Sequence, residues 1–327
     1  MAKVTVLVAA YNAEAFLPEC LDSLKSQELS DLQVVCVDDG STDGTLALLQ
    51  EYARQDVRFR VLHLAENYGQ AFARNEGLRV AQGDYVCFLD ADDWLGSDAL
   101  RLAVEAFEAH ADADCVLFDV AYVYPDRTEI YKMPDFDRLE GEEAFRLSLD
   151  WQIHGVYMVR TELHRRYPYD DTCKSYSDDN TTRMHYLASR SVRRCRGIYY
   201  YRQHPASATH QVSVRRYDFL RANESMKRML RQHGASEQVM RQWETIRLLV
   251  LVDVYMFHHC HARELPYGDA AYGLGEMRRV RKTLERRLID PRVRRKFGYR
   301  LMPAWWMFRL QEWLYFTLRG WLGKNIL

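Results

Sequence analysis

No run of about 20 apolar residues occurs in this chain of 327 residues, so no helix is expected to span a bilayer. Cysteine is sparse and unpatterned. There are seven, an odd number with no C-x-x-C, which argues against both a disulfide framework and a zinc site. That usage fits a reducing cytoplasm. A secretory leader is not expected, because Met1-Ala2-Lys3 runs straight into an apolar strand-like segment. The chain has no internal repeat and no low-complexity linker. After its first apolar run stands AAYNAE where a dinucleotide-binding oxidoreductase would carry G-x-G-x-x-G, and that class is excluded.

What is there begins with charge. The net of −1 conceals a split: residues 215–327 hold 23 Lys/Arg against 11 Asp/Glu, leaving 22 against 35 for residues 1–214. Two functional regions of opposite sign are expected, the second basic enough to seek an anionic surface. Nothing points to nucleic acid as a partner. With 28% charged residues, the chain is long enough for one large domain and an appendage.

Strand-like runs near 4–10, 33–37, 60–64, 85–89 and 115–119 alternate with helical periodicity. That alternation predicts an α/β fold with a mainly parallel sheet covered on both faces. The pattern from about 125 to 214 is mixed. Beyond it, helices are expected near 216–233, 237–262, 268–288 and 303–322. The expected organisation is a domain over 1–214, with halves 1–123 and 124–214, and a basic helical region over 215–327.

Two acidic loops carry the chemistry. The run Tyr85 to Leu89 leads into Asp90-Ala91-Asp92-Asp93, and the run Leu32 to Val37 leads into Asp38-Asp39-Gly40-Ser41-Thr42-Asp43-Gly44. Three carboxylates in four residues repel one another, and a cation such as Mg²⁺ or Mn²⁺ among them relieves that; taken alone, the cluster equally fits a solvated acidic turn. Read as an extended segment, 90–92 turns Asp90 and Asp92 to the same side. Ser41 and Asp43 read as caps of the following helix. Asp38 and Asp39 do not, and they stand at a strand's carboxyl end, where open parallel sheets bind ligands. In the segment 66–77, Ala71 and Ala73 suit close packing on the sheet, and Gly83 suits a left-handed helix cap. Arg74 fits a diphosphate and equally an ion pair with a nearby aspartate, and the two are not exclusive.

The stretches VTVLVAAYNAEAFLPECLDSLKSQ, VCVDDGSTDGT and NYGQAFARNEGLRVAQGDYVCFLDADDW together resemble the family 2 nucleotide-sugar glycosyltransferases of GT-A fold, of bacterial surface-polysaccharide type. Four consecutive motifs match in order over about residues 3–95. Ala9 departs from the proline frequent before the Tyr-Asn pair, which alters backbone stiffness rather than chemistry. The resemblance implies an inverting hexosyl- or N-acetylhexosaminyl-type transferase acting on a glycan or lipid-linked glycan, with a UDP-sugar as expected donor. Ala10, Tyr11, Asn12, Asp38, Asp39, Arg74, Asp90, Ala91, Asp92 and Arg202 would bind the donor. The base would pack near Tyr11, with Asp39 accepting from its ring N–H. Asp92, Asp90 and a histidine, His210 or His204, would hold Mn²⁺ or Mg²⁺. The family carries an acidic pair where Asp178-Asp179 stands, ahead of a helix running to about Ser189. Asp179 would be the catalytic base and Asp178 a helper, although both also fit helix capping. Trp151 and His154 are candidates for the acceptor pocket, and Trp151 equally suits the core. A nucleotide-sugar-binding scaffold without turnover is the alternative function.

The last helix places Trp306, Leu310, Trp313, Thr317 and Trp321 on one face, with Arg309, Glu312 and Arg319 opposite. Eleven basic residues lie between Arg278 and Arg300. The region 278–322 therefore suits an anionic membrane surface, the inner face of the cell membrane, and alternatively a packed helix with solvated arginines.

Overall fold

The computed structural model describes residues 2–204 and 212–324. The strands are β1 (Val4–Ala10), β2 (Leu32–Asp38), β3 (Phe59–His63), β4 (Tyr85–Phe88), β5 (Trp94–Leu95), β6 (Ala113–Val123), β7 (Thr128–Ile130), β8 (Tyr157–Arg160) and β9 (Ser191–Arg202). They form one sheet in the order β3-β2-β1-β4-β8-β6-β9-β5, with β7 on β6. Pairing is parallel from β3 through β4 and between β6 and β9, while β8 runs antiparallel to both of its neighbours. The five strand-like runs in the sequence are thus strands, and the sheet is mixed but mostly parallel.

Alternation along β1 shows why both faces are covered. Val4, Val6 and Val8 join one buried cluster with Leu17, Leu21 and Leu24, whereas Leu7 joins the other with Val35, Val37 and Ala73. The helix Gln70–Arg79 presses close to the second face: a Cβ on Gly77 would stand 3.1 Å from Leu7. This helix ends on Val80 at φ −107°, so Gly83 is not its left-handed cap. Gly83 is needed for space instead, because a Cβ there would meet the Val4 and Thr5 backbone at 2.6 Å.

Contacts divide the chain into two units, residues 1–174 with 181–207 and residues 175–180 with 208–327. The second unit is helical: Asp218–His233, Glu237–His261, Tyr267–Thr283, the short Pro291–Arg294 and Trp305–Trp321. Tyr217, Leu248, Leu251, Met277, Phe308 and Phe316 form its core. A buried charged group crosses that core, in which Glu244 pairs with Arg247 at 2.8 Å and with Lys227 at 3.1 Å. Removing one member would strand the others, so the group fixes how these helices meet.

Candidate active site

Parallel pairing brings the carboxyl ends of the first strands together. Register aligns Ala10 with Asp38 and Asp38 with His63. Two loops then leave this edge and are stitched to each other. Asn12, at φ +48°, accepts from the Thr42 N–H at 2.8 Å, and its own N–H donates to Ser41 Oγ at 3.0 Å. Ser41 therefore ties loop to loop and does not cap the helix Thr45–Gln55. Asp43 does serve that helix, accepting from Thr45 N–H at 3.0 Å. Gly40 at φ +73° is required, since a Cβ would strike the Glu66 backbone at 2.6 Å. Tyr11 projects half-exposed above this edge.

Asp38 and Asp39 are both buried. Asp39 accepts from the N–H groups of Tyr68 and Gly69, each at 2.8 Å, and so holds the loop before the helix Gln70–Arg79. Asp38 Oδ2 lies 2.7 Å from His63 Nδ1. His63 escaped the sequence reading; its signal was its place at the end of the next parallel strand.

The acidic cluster is a turn. β4 stops at Phe88, and Asp93 N–H donates to the Asp90 carbonyl at 3.0 Å. Asp90 and Asp92 therefore do not alternate along an extended segment, and their carboxylates go to different partners. Asp90 forms an ion pair with Arg74, whose buried guanidinium sits 4.3 Å over the Phe88 ring. The ion pair read from the sequence for Arg74 is present, and it leaves the diphosphate reading of the same residue open. Asp93 is buried, accepts from Tyr199 Oη at 2.7 Å and from Arg202 N–H at 2.8 Å, and is pushed up to about 8 by burial and by its neighbours Asp90 and Asp92. Asp92 is the carboxylate presented outward, 40% exposed, with His204 Nε2 at 3.0 Å.

His204 stacks on Phe16 at 4.9 Å. It is the histidine that the structure brings to Asp92; His210 lies outside the described residues. Arg202 is occupied in holding the turn: Nε donates to the Asp92 carbonyl at 2.9 Å, the guanidinium pairs with Glu19, and it lies 4.7 Å over Trp94. Ala91 is buried within the turn. Among the described residues no ready-made group of three His, Cys, Asp or Glu surrounds a common point. Asp92 and His204 nevertheless supply a hard oxygen and an imidazole side by side, a donor set that suits Mn²⁺ once ligand oxygens complete it.

Asp178 and Asp179 occupy the first turn of the helix Asp178–Ala188, both partly exposed, and belong with residues 175–180 to the second unit. Trp151 is not core. It is 43% exposed, holds φ +59°, and faces Arg183 at 5.1 Å. A bulky residue at positive φ is strained, and such strain gathers at functional sites. His154 is buried against Tyr131, and that burial pushes it down to about 4, so its ring is not presented to solvent as an acceptor-facing side chain would be.

The family model "Glycosyl transferase family 2" matches residues 5–171. The uncharacterized glycosyltransferase EpsJ of Bacillus subtilis is 32% identical over 221 residues, 63% of this chain and 62% of the relative. The poly(ribitol-phosphate) beta-glucosyltransferase of Bacillus spizizenii is 39% identical over 101 residues, 30% of this chain and 16% of the relative. The matched segments thus span less than two thirds of either relative. Among solved structures, S. aureus TarS 1–349 in complex with UDP-GlcNAc superposes with TM-score 0.75 at 20% identity, covering 98% of this chain and 92% of that one. The fold is GT-A.

Proposed function

Because the chain belongs to glycosyl transferase family 2, we propose that it moves a sugar from a nucleoside-diphosphate donor to a hydroxyl of a surface glycan or lipid-linked glycan. The observation that carries this reading is the turn 90–93 at the carboxyl end of β4, with Asp90 neutralised by Arg74 and Asp92 turned outward beside His204. A UDP-sugar with a hexosyl or N-acetylhexosaminyl group is the proposed donor. The UDP-GlcNAc complex of TarS supports that choice, and the exposed ring of Tyr11 offers a stacking surface for the base.

Asp92, with Asp90 and His204 at hand, would hold Mn²⁺ or Mg²⁺, and the bound ion would offset charge on the departing diphosphate. Asp39 keeps lone pairs for the base N–H while fixing the 66–69 loop. Asp179 takes the proton of the acceptor hydroxyl as that oxygen bonds to the anomeric carbon from the face opposite the breaking C–O bond. One in-line displacement of this kind inverts the anomeric centre. Asp178 assists at the same helix start, and the Trp151 ring stacks on the acceptor.

The test is a panel of UDP-, GDP- and dTDP-sugars with Mn²⁺, scored by nucleotide release with and without excess chelator. One nucleotide class should be turned over, and chelator should stop it. Tight donor binding with no turnover toward any sugar or water would favour the scaffold instead.

A further inference from the structure

The helix Trp305–Trp321 is apolar on its exposed face as well as its buried one, and buries a Gln-Glu pair. Its buried residues are Phe308, Gln311, Glu312 and Phe316. Its exposed face carries Leu310, Trp313, Leu314 and Leu318, with Trp306 at 65% and Trp321 at 80% exposure toward its ends. A surface helix of a soluble domain keeps its outer face polar, and a contiguous apolar patch marks an interaction site. The two end tryptophans stand about 22 Å apart along the axis at the usual helical rise.

Charge selects what covers this face. From Pro291 to Lys324 there are eight Lys/Arg and one acid, Glu312, which is buried. The basic stretch lies against the helix. Phe297 and Tyr299 approach the Tyr315 ring at 5.8 and 5.9 Å, and Gln311 donates to the Arg300 carbonyl at 3.1 Å. Arg295, Lys296, Arg300 and Arg309 are exposed and, among the described residues, pair with no carboxylate. A cleft of about 310 Å³ opens on the same face between Tyr255, Trp305, Trp306 and Trp313, with Arg309 at its rim. An arginine beside an aromatic cleft suits a phosphate headgroup whose tails continue into apolar surroundings. Among the described residues no helix is long and apolar enough to cross a membrane, so this one would lie in the interface plane.

We propose that the helix Trp305–Trp321, with the basic stretch 292–300 against it, seats the chain on an anionic lipid bilayer, its tryptophans among the headgroups. The inference is independent of the proposed transferase chemistry, and its test reads no turnover.

The full chain is sedimented with phosphatidylglycerol-rich vesicles and with phosphatidylcholine vesicles. It should pellet with the first and not the second, release as salt rises, and shift its tryptophan emission to the blue on binding. The variant Trp306→Ser/Trp313→Ser/Trp321→Ser should bind at least roughly tenfold more weakly. The variant Arg295→Glu/Lys296→Glu/Arg300→Glu should lose roughly a hundredfold on phosphatidylglycerol. All six positions are exposed, and circular dichroism checks that both variants fold. Wild-type protein left in the supernatant at low salt, or equal binding by the tryptophan variant, overturns the proposal. So does a lipid-free dimer that the tryptophan variant abolishes while vesicles recruit nothing.

Discussion

At the scale of single residues, the acidic turn assigns each aspartate a different duty. Asp90 is balanced by Arg74 and Asp93 is buried under Tyr199, which leaves Asp92 as the outward group. Asp92→Asn should weaken Mn²⁺-dependent donor binding, read by calorimetric titration, and leave unfolding stability within about 0.5 kcal/mol, as for an exposed side chain. Asp179→Asn should lower transfer by about 10²–10⁴-fold while donor affinity stays near wild type. Normal transfer with a lower Tm would make Asp179 a helix cap and nothing more. The sequence showed the carboxylates because strand-then-acid is a local pattern. It did not show His63 beside Asp38, Glu19 on Arg202, or Tyr199 on Asp93, because those partners lie 25 to 183 residues away and meet only through the sheet. His204 and His210 were equivalent in sequence, and the run-out of β9 past Arg202 is what sets His204 at Asp92.

At the scale of elements, apolar runs and period-two alternation made the parallel strands legible, and the four long C-terminal helices followed from periodicity. Two features were not legible. The β8 strand is four residues long and antiparallel, set between β4 and β6, so no local run announces its place. The spacing in the last helix gives it an aromatic face, yet spacing alone does not say which face turns inward. Glu312 shows the result. It is fully buried, accepts from Gln311 at 2.9 Å, and burial pushes its carboxyl up to about 8. The folded state therefore keeps a proton here that the unfolded chain releases near 4.5, and the stability it preserves is lost as pH rises through about 8. Glu312→Gln should be close to neutral in Tm at pH 4 and raise Tm increasingly between about pH 4.5 and 8, with the full gain at pH 9.5. An equal effect at pH 4 and pH 9.5 would mean that Glu312 is ionised throughout.

At the scale of the whole molecule, buried titrating groups are distributed unequally between the two units, and their response to pH should differ. In the unit of residues 1–174 with 181–207, burial pushes His154 and His185 down to about 4 and His164 well below its usual value. The unfolded chain binds protons on these rings near 6.5 and the folded unit does not. Stability is therefore complete above about 6.5 and is lost as pH falls toward 4. For one such ring the gap is worth at most about 3 kcal/mol. Asp93 acts the other way, holding a proton up to about 8, but it is one group against three. In the unit of residues 175–180 with 208–327, His258 at about 4 and His259, also lowered by burial, are opposed below 6.5 by Glu312 at about 8 and by Asp218, which burial raises; above 6.5 Glu312 is the main contribution among the described residues. Scanning calorimetry at pH 5, 6.5 and 8.5 should thus show the sheet unit losing most on the acid side and the helical unit losing on the alkaline side. His154→Gln/His185→Gln should flatten the acid loss of the first transition and leave the second unmoved. A single transition with the same pH slope in both variant and wild type would place the sensitivity in other groups.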